Sequence, residues 1–267
     1  MSIQAIGFIR TMRGGAQSRL LYCEDQQAYV VKFQNNPQHI RVLANEWLAT
    51  HMAAEIGLPV PTCKVIQVEQ PLIERTPDLN TFGVSEAEPG MPGLHFGSQF
   101  IGGFMPGLSM DYLPTDQLTK VLNIGSFFGA LAFDKWTNNA DGRQVVFHKS
   151  LSARRYKASF IDHGFCFNAG SWKFSDAPLR GIYARHRIYT HVKGWADFEP
   201  WLSRIESFPE DKLWEITRTI PSEWYEGDEV SLLRLIEQLL QRRSQVRGLV
   251  DEFRTSEQNP FPNWMCH

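Results

Sequence analysis

The chain has 267 residues, room for one large folded unit or two modest ones at about 150 residues each. Apolar residues make up 43% and charged residues 21%, which excludes a disordered or collagen-like chain. Lys plus Arg (27) against Asp plus Glu (29) leave a net charge of -2 with no block of like charges, so direct nucleic-acid binding is not expected.

The opening residues, Met1 to Arg10, lack the basic start, long apolar stretch and small-residue cleavage site of a secretory signal, so the expected compartment is the cytoplasm. Cys23, Cys63, Cys166 and Cys266 form no C-x-x-C pair and are expected to be reduced thiols. The first recognisable element is a β-hairpin, Leu20 to Glu24 and Ala28 to Phe33, around a polar turn at Asp25 to Gln27. A helix follows over His39 to Ile56, with Ile40, Leu43, Trp47, Leu48, Met52 and Ile56 at three- and four-residue intervals and Gly57 then Pro59 as its stop. Val60 to Ile73 reads as further strand. Asn80 to Met105 is rich in Gly and Pro with one apolar patch, Gln99 to Ile101, and is read as holding a linker.

The second half reads as mostly helical. Asp116 is expected to cap an apolar helix running to about Phe133, and the longest mostly apolar run, Val121 to Phe133, is broken by Asn123 and too short for the roughly 18 residues of a membrane span. Gln144 to His148 and Ala158 to Ile161 form a second hairpin, and Phe208 to Ile220 and Glu229 to Phe253 are amphipathic helices. The short basic clusters Arg154-Arg155 and Arg185-His-Arg187 read as solvated loops, and His186 and His191 lack partners for a zinc site.

Three positions carry chemical interest. Lys32 shares a strand face with Val30 amid apolar neighbours; alone it reads as a lysine snorkelling to water, and if buried it requires a carboxylate, for which Glu46 is the candidate. Arg13-Gly-Gly-Ala-Gln-Ser18 precedes the first hairpin and reads either as a turn or as a backbone cradle for an anion. Asp162 ends a strand among Phe160, Ile161, Phe165 and Phe167; it either caps a turn or is paired or metal-bound, because desolvating a lone carboxylate is prohibitive. In order, a Gly-rich turn, a strand lysine, a helix glutamate, an Asp/Asn loop, a hairpin and Asp-x-Gly are the parts that phosphoryl transfer from ATP needs.

At these residues the chain resembles the HipA-like kinases, a bacterial branch of the protein-kinase-like fold. Gly15-Ala-Gln17 resembles the family's Gly-Ala-Gln phosphate loop, Lys32 in Val-Val-Lys-Phe33 is similar to its ATP-contacting lysine, and Asn45-Glu46 opens the matching helix. Asn139-Ala-Asp-Gly-Arg143 resembles the family's catalytic loop, and Ile161-Asp-His-Gly164 stands where its metal-binding Asp lies. The likeness runs from about Thr11 to Phe167; Ile220-Pro-Ser-Glu-Trp224 and Arg242-Arg243 are similar to a shorter HipA-like subfamily.

The resemblance implies an α+β, two-lobed kinase fold: a small β-rich N-lobe with one helix over residues 1–105, a larger mostly helical C-lobe over 106–267, and ATP with Mg2+ between them. By the same mapping, Gly14, Gly15, Ala16 and Gln17 cover the phosphates, Lys32 binds them, and Glu46 orients Lys32. Asp141 is the expected base, with Asn139 and Arg143 in its loop; Asp162 holds the metal, helped by Gln144 or Asn139. Two departures leave alternatives open. The family places an Asn five residues after its catalytic Asp, where this chain has Val146, and Asp134 to Asn139 offers a rival register in which Asp134 is the base. The implied activity is transfer of the γ-phosphate to a hydroxyl, foremost Ser or Thr of a protein. A pseudokinase binding module and a lipid or small-molecule kinase are the alternatives, and a separate regulatory partner protein is a further implication.

Overall fold

A computed structural model describes residues 2–79 and 90–265. Five strands close into a small barrel. β1 (Ser2–Thr11), β2 (Arg19–Cys23), β3 (Ala28–Lys32), β4 (Cys63–Val68) and β5 (Gly93–Gln99) follow one another round it in the order β1-β2-β3-β5-β4. The expected first hairpin is β2–β3, in register from Arg19 opposite Val31 to Tyr22 opposite Ala28. Its turn is set by Asp25, whose Oδ1 accepts the Gln27 N–H at 3.1 Å, with Gln26 at φ 62°. β1 pairs antiparallel with β2 and parallel with β4, which closes the ring and removes its edges. Leu21, Val31, Phe33, Ile66 and Val68 fill the interior.

Between β3 and β4 lies α1 (Arg41–Glu55), with every residue from Val42 to Thr50 buried. A helix that is largely apolar round its circumference must be covered on all sides. α1 meets that demand by joining a second, larger core, in which Leu43, Trp47 and Leu48 pack with Phe127, Trp136, Phe160 and Trp224 from the rest of the chain. The indole Nε1–H of Trp47 donates to Thr219 Oγ1 at 2.9 Å, and that of Trp224 donates to the Leu94 carbonyl at 2.8 Å. Both halves of the molecule are thereby tied to α1 and β5.

The second half holds a three-stranded sheet, β6 (Ser109–Met110), β7 (Gln144–His148) and β8 (Lys157–Ile161), in which β7–β8 is the expected second hairpin. Around it lie the helices, the central one being fully buried. The structure departs from the sequence reading at several points, for physical reasons. Val60 to Ile73 is not all strand: β4 ends at Val68, and Pro71 near the start of α2 (Gln70–Glu74) suits a first helical turn. Asn80 to Met105 is not only a linker, since β5 fills Gly93–Gln99 and is paired on both sides; residues 80–89 lie outside the described ones. The helix expected from Asp116 to Phe133 is two, α3 (Thr115–Leu118) with Pro114 as cap and Asp116 inside its first turn, and α4 (Ser126–Thr137). Asn123 causes the interruption by turning its amide to the β8 backbone, where it both donates to the Ala158 carbonyl and accepts its N–H at 2.9 Å.

After the short α5 (Trp201–Glu206) comes α6 (Glu210–Thr217), and the last expected helix is split into α7 (Glu229–Arg242) and α8 (Val246–Arg254) by a 3₁₀ turn. β1 went unread because Ser2–Thr11 alternates weakly, with Ala5 its one buried residue. Among the described residues no helix is long and apolar enough to cross a membrane. Cys23, Cys63 and Cys166 are buried free thiols, and Cys266 lies outside the described residues.

β5 also carries His95, fully buried and stacked on Phe33 with ring centroids 4.3 Å apart. Its Nδ1 accepts the Gln34 N–H at 3.2 Å and its Nε2 faces the Met91 carbonyl at 2.9 Å, a pairing that only the neutral Nε2–H tautomer satisfies. Burial lowers its pKa from 6.5 to about 4. The unfolded chain therefore binds more protons as pH falls below 6.5, and stability declines from there towards pH 4. Urea unfolding across that range is expected to show a loss on the order of 2–3 kcal/mol from this group, and His95→Gln is expected to flatten that part of the profile.

Candidate active site

The Lys32 ammonium sits where three elements converge. Val30 and Lys32 face outward from the barrel into a cleft, while Tyr29 and Val31 point inside. Glu46 of α1 accepts from Lys32 Nζ through Oε1, and its Oε2 accepts the His163 N–H at 3.0 Å. Asp162, the residue after β8, accepts from the same Nζ through Oδ1 at 2.6 Å. Exposure differs sharply: the Glu46 side chain is 3% exposed and that of Asp162 27%, so one carboxylate is sealed in and the other opens to the cleft. Burial alone would lower the Lys32 pKa, but the two carboxylates outweigh it and raise it. Burial raises the Glu46 pKa. For Asp162 burial works in the same direction, but Lys32, followed by the Glu46 side chain and then Arg143, outweighs it and holds the carboxyl below its ordinary range.

Two connected cavities meet at this cluster. One, of about 170 Å³, is mainly apolar, lined by Met12, Val30, Phe96, Phe100, Ile101, Val146 and Ile161. The other, of about 320 Å³, is polar and lies among Gly14, Gly15, Ala16, Gln38 and Asp141. Arg13, Ser18, Lys32, Gln144 and Asp162 line both. The loop over the polar cavity is a tight turn in which the Gln17 N–H donates to the Gly14 carbonyl at 3.1 Å. Gly14 at φ 126° has a conformation that a side chain would strain. Gln17 shapes that turn without lining the cavity; Arg13 and Ser18, the two ends of the segment read as a cradle, line it, and so does Gln38, which no local sequence signal marks.

The Asp/Asn loop is built from the end of α4. Asn138 ends the helix in the left-handed conformation, φ 49°, and its Nδ2 donates to Asp176 Oδ1 at 2.7 Å. Arg242 of α7 braces the same place, donating to the Lys135 and Trp136 carbonyls and forking onto Asp176 at 2.7 and 2.8 Å. The loop is then fastened across the cleft floor, the Ala140 N–H donating to the Phe165 carbonyl at 2.9 Å. Gln144 starts β7 opposite Ile161, which places it beside Asp162.

The loop residues divide into two groups. Asp141 is exposed and lines the polar cavity. The Asp134 side chain is 0% exposed and takes two bonds from Arg143, one from Nη2 and one from Nε at 2.9 Å, with a third from Asn139 Nδ2 at 3.0 Å. Asp134 thus faces away from the cleft, against its reading as a base. Arg143 is also buried, on Asp134 and the Ile161 carbonyl, and does not line the cavities. The Asn139 amide is held between Asp134 and the Asp141 N–H at 3.1 Å, which leaves Gln144 as the amide that reaches the cleft beside Asp162.

Removing one partner of a buried ion pair strands the other charge. Arg143→Met is therefore expected to lower the unfolding free energy by about 3–5 kcal/mol in urea titrations, and the double variant with Asp134→Asn to regain part of the loss.

No curated protein matches the sequence. The proinflammatory kinase CtkA of Helicobacter pylori has a similar solved structure, with TM-score 0.52 and 13% identity over 92% of this chain and 99% of that one. A crystal structure of the Golgi casein kinase is similar at TM-score 0.52 and 14% identity, over 96% of this chain and 74% of that one. At such identities the likeness is one of fold. The family model described as HipA-like kinase matches residues 6–248, and the chain belongs to that family.

Proposed function

We propose that the chain is an ATP-dependent kinase that transfers the γ-phosphoryl group to a hydroxyl, foremost a Ser or Thr of a protein. The observation that carries this reading is the meeting of Lys32 and Asp162, 2.6 Å apart and 130 residues apart in sequence, at the junction of an apolar slot and a polar cavity. The slot suits a purine base and the polar cavity a run of phosphates. The ionisable side chains lining the polar cavity are Arg13 and Lys32 against Asp141 and Asp162, two positive and two negative. A triphosphate therefore needs further cations.

The donor chemistry fits Mg2+. Asp162 and Gln144 offer hard oxygen ligands side by side, and among the described residues no group of three or more His, Cys, Asp and Glu could hold a metal, so phosphate and water oxygens would complete its shell. Such an ion, when bound, supplies neutralisation of phosphate charge. Lys32 has three N–H donors; Glu46 and Asp162 take two, and the third is available to an α- or β-phosphate oxygen. Glu46 keeps the ammonium aimed and charged. The N–H groups of Gly14, Gly15 and Ala16 donate to no backbone carbonyl among the described residues, and these residues line the cavity proposed for the phosphates. Asp141 accepts the proton of the acceptor hydroxyl as its oxygen bonds to the γ-phosphorus and the bond to the bridging oxygen breaks, leaving ADP. Asp141 and Gly142 are both exposed at the rim, which favours a hydroxyl presented on a protein surface over an enclosed small molecule.

Incubation with γ-labelled ATP, Mg2+ and cell lysate tests the reading. Label on a protein band is expected; label in the organic phase would point to a lipid acceptor, and no label at all to a binding module. Asp141→Ala is expected to lose roughly 100- to 10,000-fold in rate, the range of a positioned base, and an unchanged rate would move the base elsewhere. Asp162→Asn is expected to abolish Mg2+-dependent nucleotide binding in calorimetric titrations.

A further inference from the structure

Asn45 stands beside Glu46 in α1 and is 1% exposed, an unusual place for a carboxamide in a helix otherwise buried among apolar neighbours. Its surroundings account for it. Nδ2 lies 2.8 Å from the Gly164 carbonyl, 3.1 Å from that of Cys166 and 2.9 Å from that of Ala169, and Oδ1 accepts the indole N–H of Trp172 at 2.7 Å. Carbonyls only accept and an indole only donates, so the orientation of the amide is unambiguous. All four partners belong to the segment that leaves Asp162.

That segment is bonded partly to itself, as where the Cys166 N–H donates to the His163 carbonyl at 2.9 Å, yet its backbone is unusual. Asp162, Phe167, Asn168, Ala169 and Trp172 all have positive φ, between 52° and 60°, a region that side chains disfavour unless the surroundings impose it. α1 imposes it at further points. Arg41 donates to the Gly170 carbonyl at 3.3 Å, lies 4.5 Å over the Trp172 ring, and is itself held by Asp228 at 2.7 Å. Gly164 sits so close to the helix that a Cβ there would come within 2.5 Å of Val42 Cγ1.

The geometry points to Asn45 as a positioning residue: it fastens the chain following Asp162 to the helix that carries Glu46, so that both carboxylates keep their places on Lys32. The cleft is thereby assembled by contacts within the chain. This rests on the reading of Asp162 as a ligand at the phosphate end of the cleft.

Hydrogen exchange and steady-state kinetics on wild type, Asn45→Ala and Trp172→Phe test it. In Asn45→Ala, amides of residues 163–172 are expected to exchange about tenfold faster or more while those of α4 and α7 stay unchanged. The half-saturating Mg2+ concentration is expected to rise, and kcat to fall, about 10- to 100-fold, the range typical of groups that orient a metal ligand, with the ATP KM little altered. A merely structural role would lower the amount of folded enzyme without moving the Mg2+ dependence. Unchanged exchange, or faster exchange with unaltered kcat and Mg2+ dependence, overturns the inference. Should wild type transfer no phosphate, the kinase reading falls, and Mn2+ binding in the presence of ADP, read by water-proton relaxation, decides the positioning instead. Weaker Mn2+ binding in Asn45→Ala then supports it, and no difference between the two proteins overturns it. If Asn45→Ala does not fold, Trp172→Phe, which removes the indole donor alone, is expected to move the same readouts in the same direction by a smaller factor.

Discussion

One ammonium shared by two carboxylates is the interaction on which the rest of the structure depends. Lys32, Glu46 and Asp162 come from β3, α1 and the end of β8, and none of the three could be buried alone without a desolvation cost of several kcal/mol. Of the two acids, the one that reaches the surface is Asp162, the more exposed. The barrel, the long helix and the second hairpin are therefore held in one mutual arrangement by electrostatics as well as by packing. The same arrangement leaves a carboxylate open towards the polar cavity.

A second buried pair, Asp134 with Arg143, shows the opposite use of the same chemistry. Its acid is saturated by the Arg143 fork and the Asn139 amide, and it is closed to solvent. Charges so completely satisfied have little left to offer a substrate. What the pair does is set the loop from α4 to β7, so that Asp141 and Gln144 emerge at the cleft while Asn139 and Arg143 stay beneath it. The contrast between the acids rests on exposure and on how many donors each already has, and not on residue type.

α1 unites these parts because it serves two cores. Its apolar residues pack into the larger core with α4 and Trp224, while Glu46 reaches the barrel lysine and Asn45 the segment after Asp162. A helix whose Glu46, Asn45 and Arg41 reach neighbouring elements while its apolar residues pack into a core acts as a template for both. The left-handed residues from Asp162 to Trp172 lie against this buried helix.

Much of this was legible beforehand. The two hairpins and α1 follow from hydrophobic period and turn residues, and Lys32 and Asp162 stood out because charged residues in apolar strands demand partners. Such signals are local, and local chemistry suffices to detect them. What the sequence left open was decided by distance in space: that β1 and β5 complete a barrel, that Asn123 breaks a helix by bonding to β8, and that Asp134 turns inward while Asp141 turns outward. Each of these depends on which backbone groups and counter-charges arrive from remote parts of the chain. A one-dimensional pattern states what each residue needs, and only the folded chain settles which neighbour supplies it.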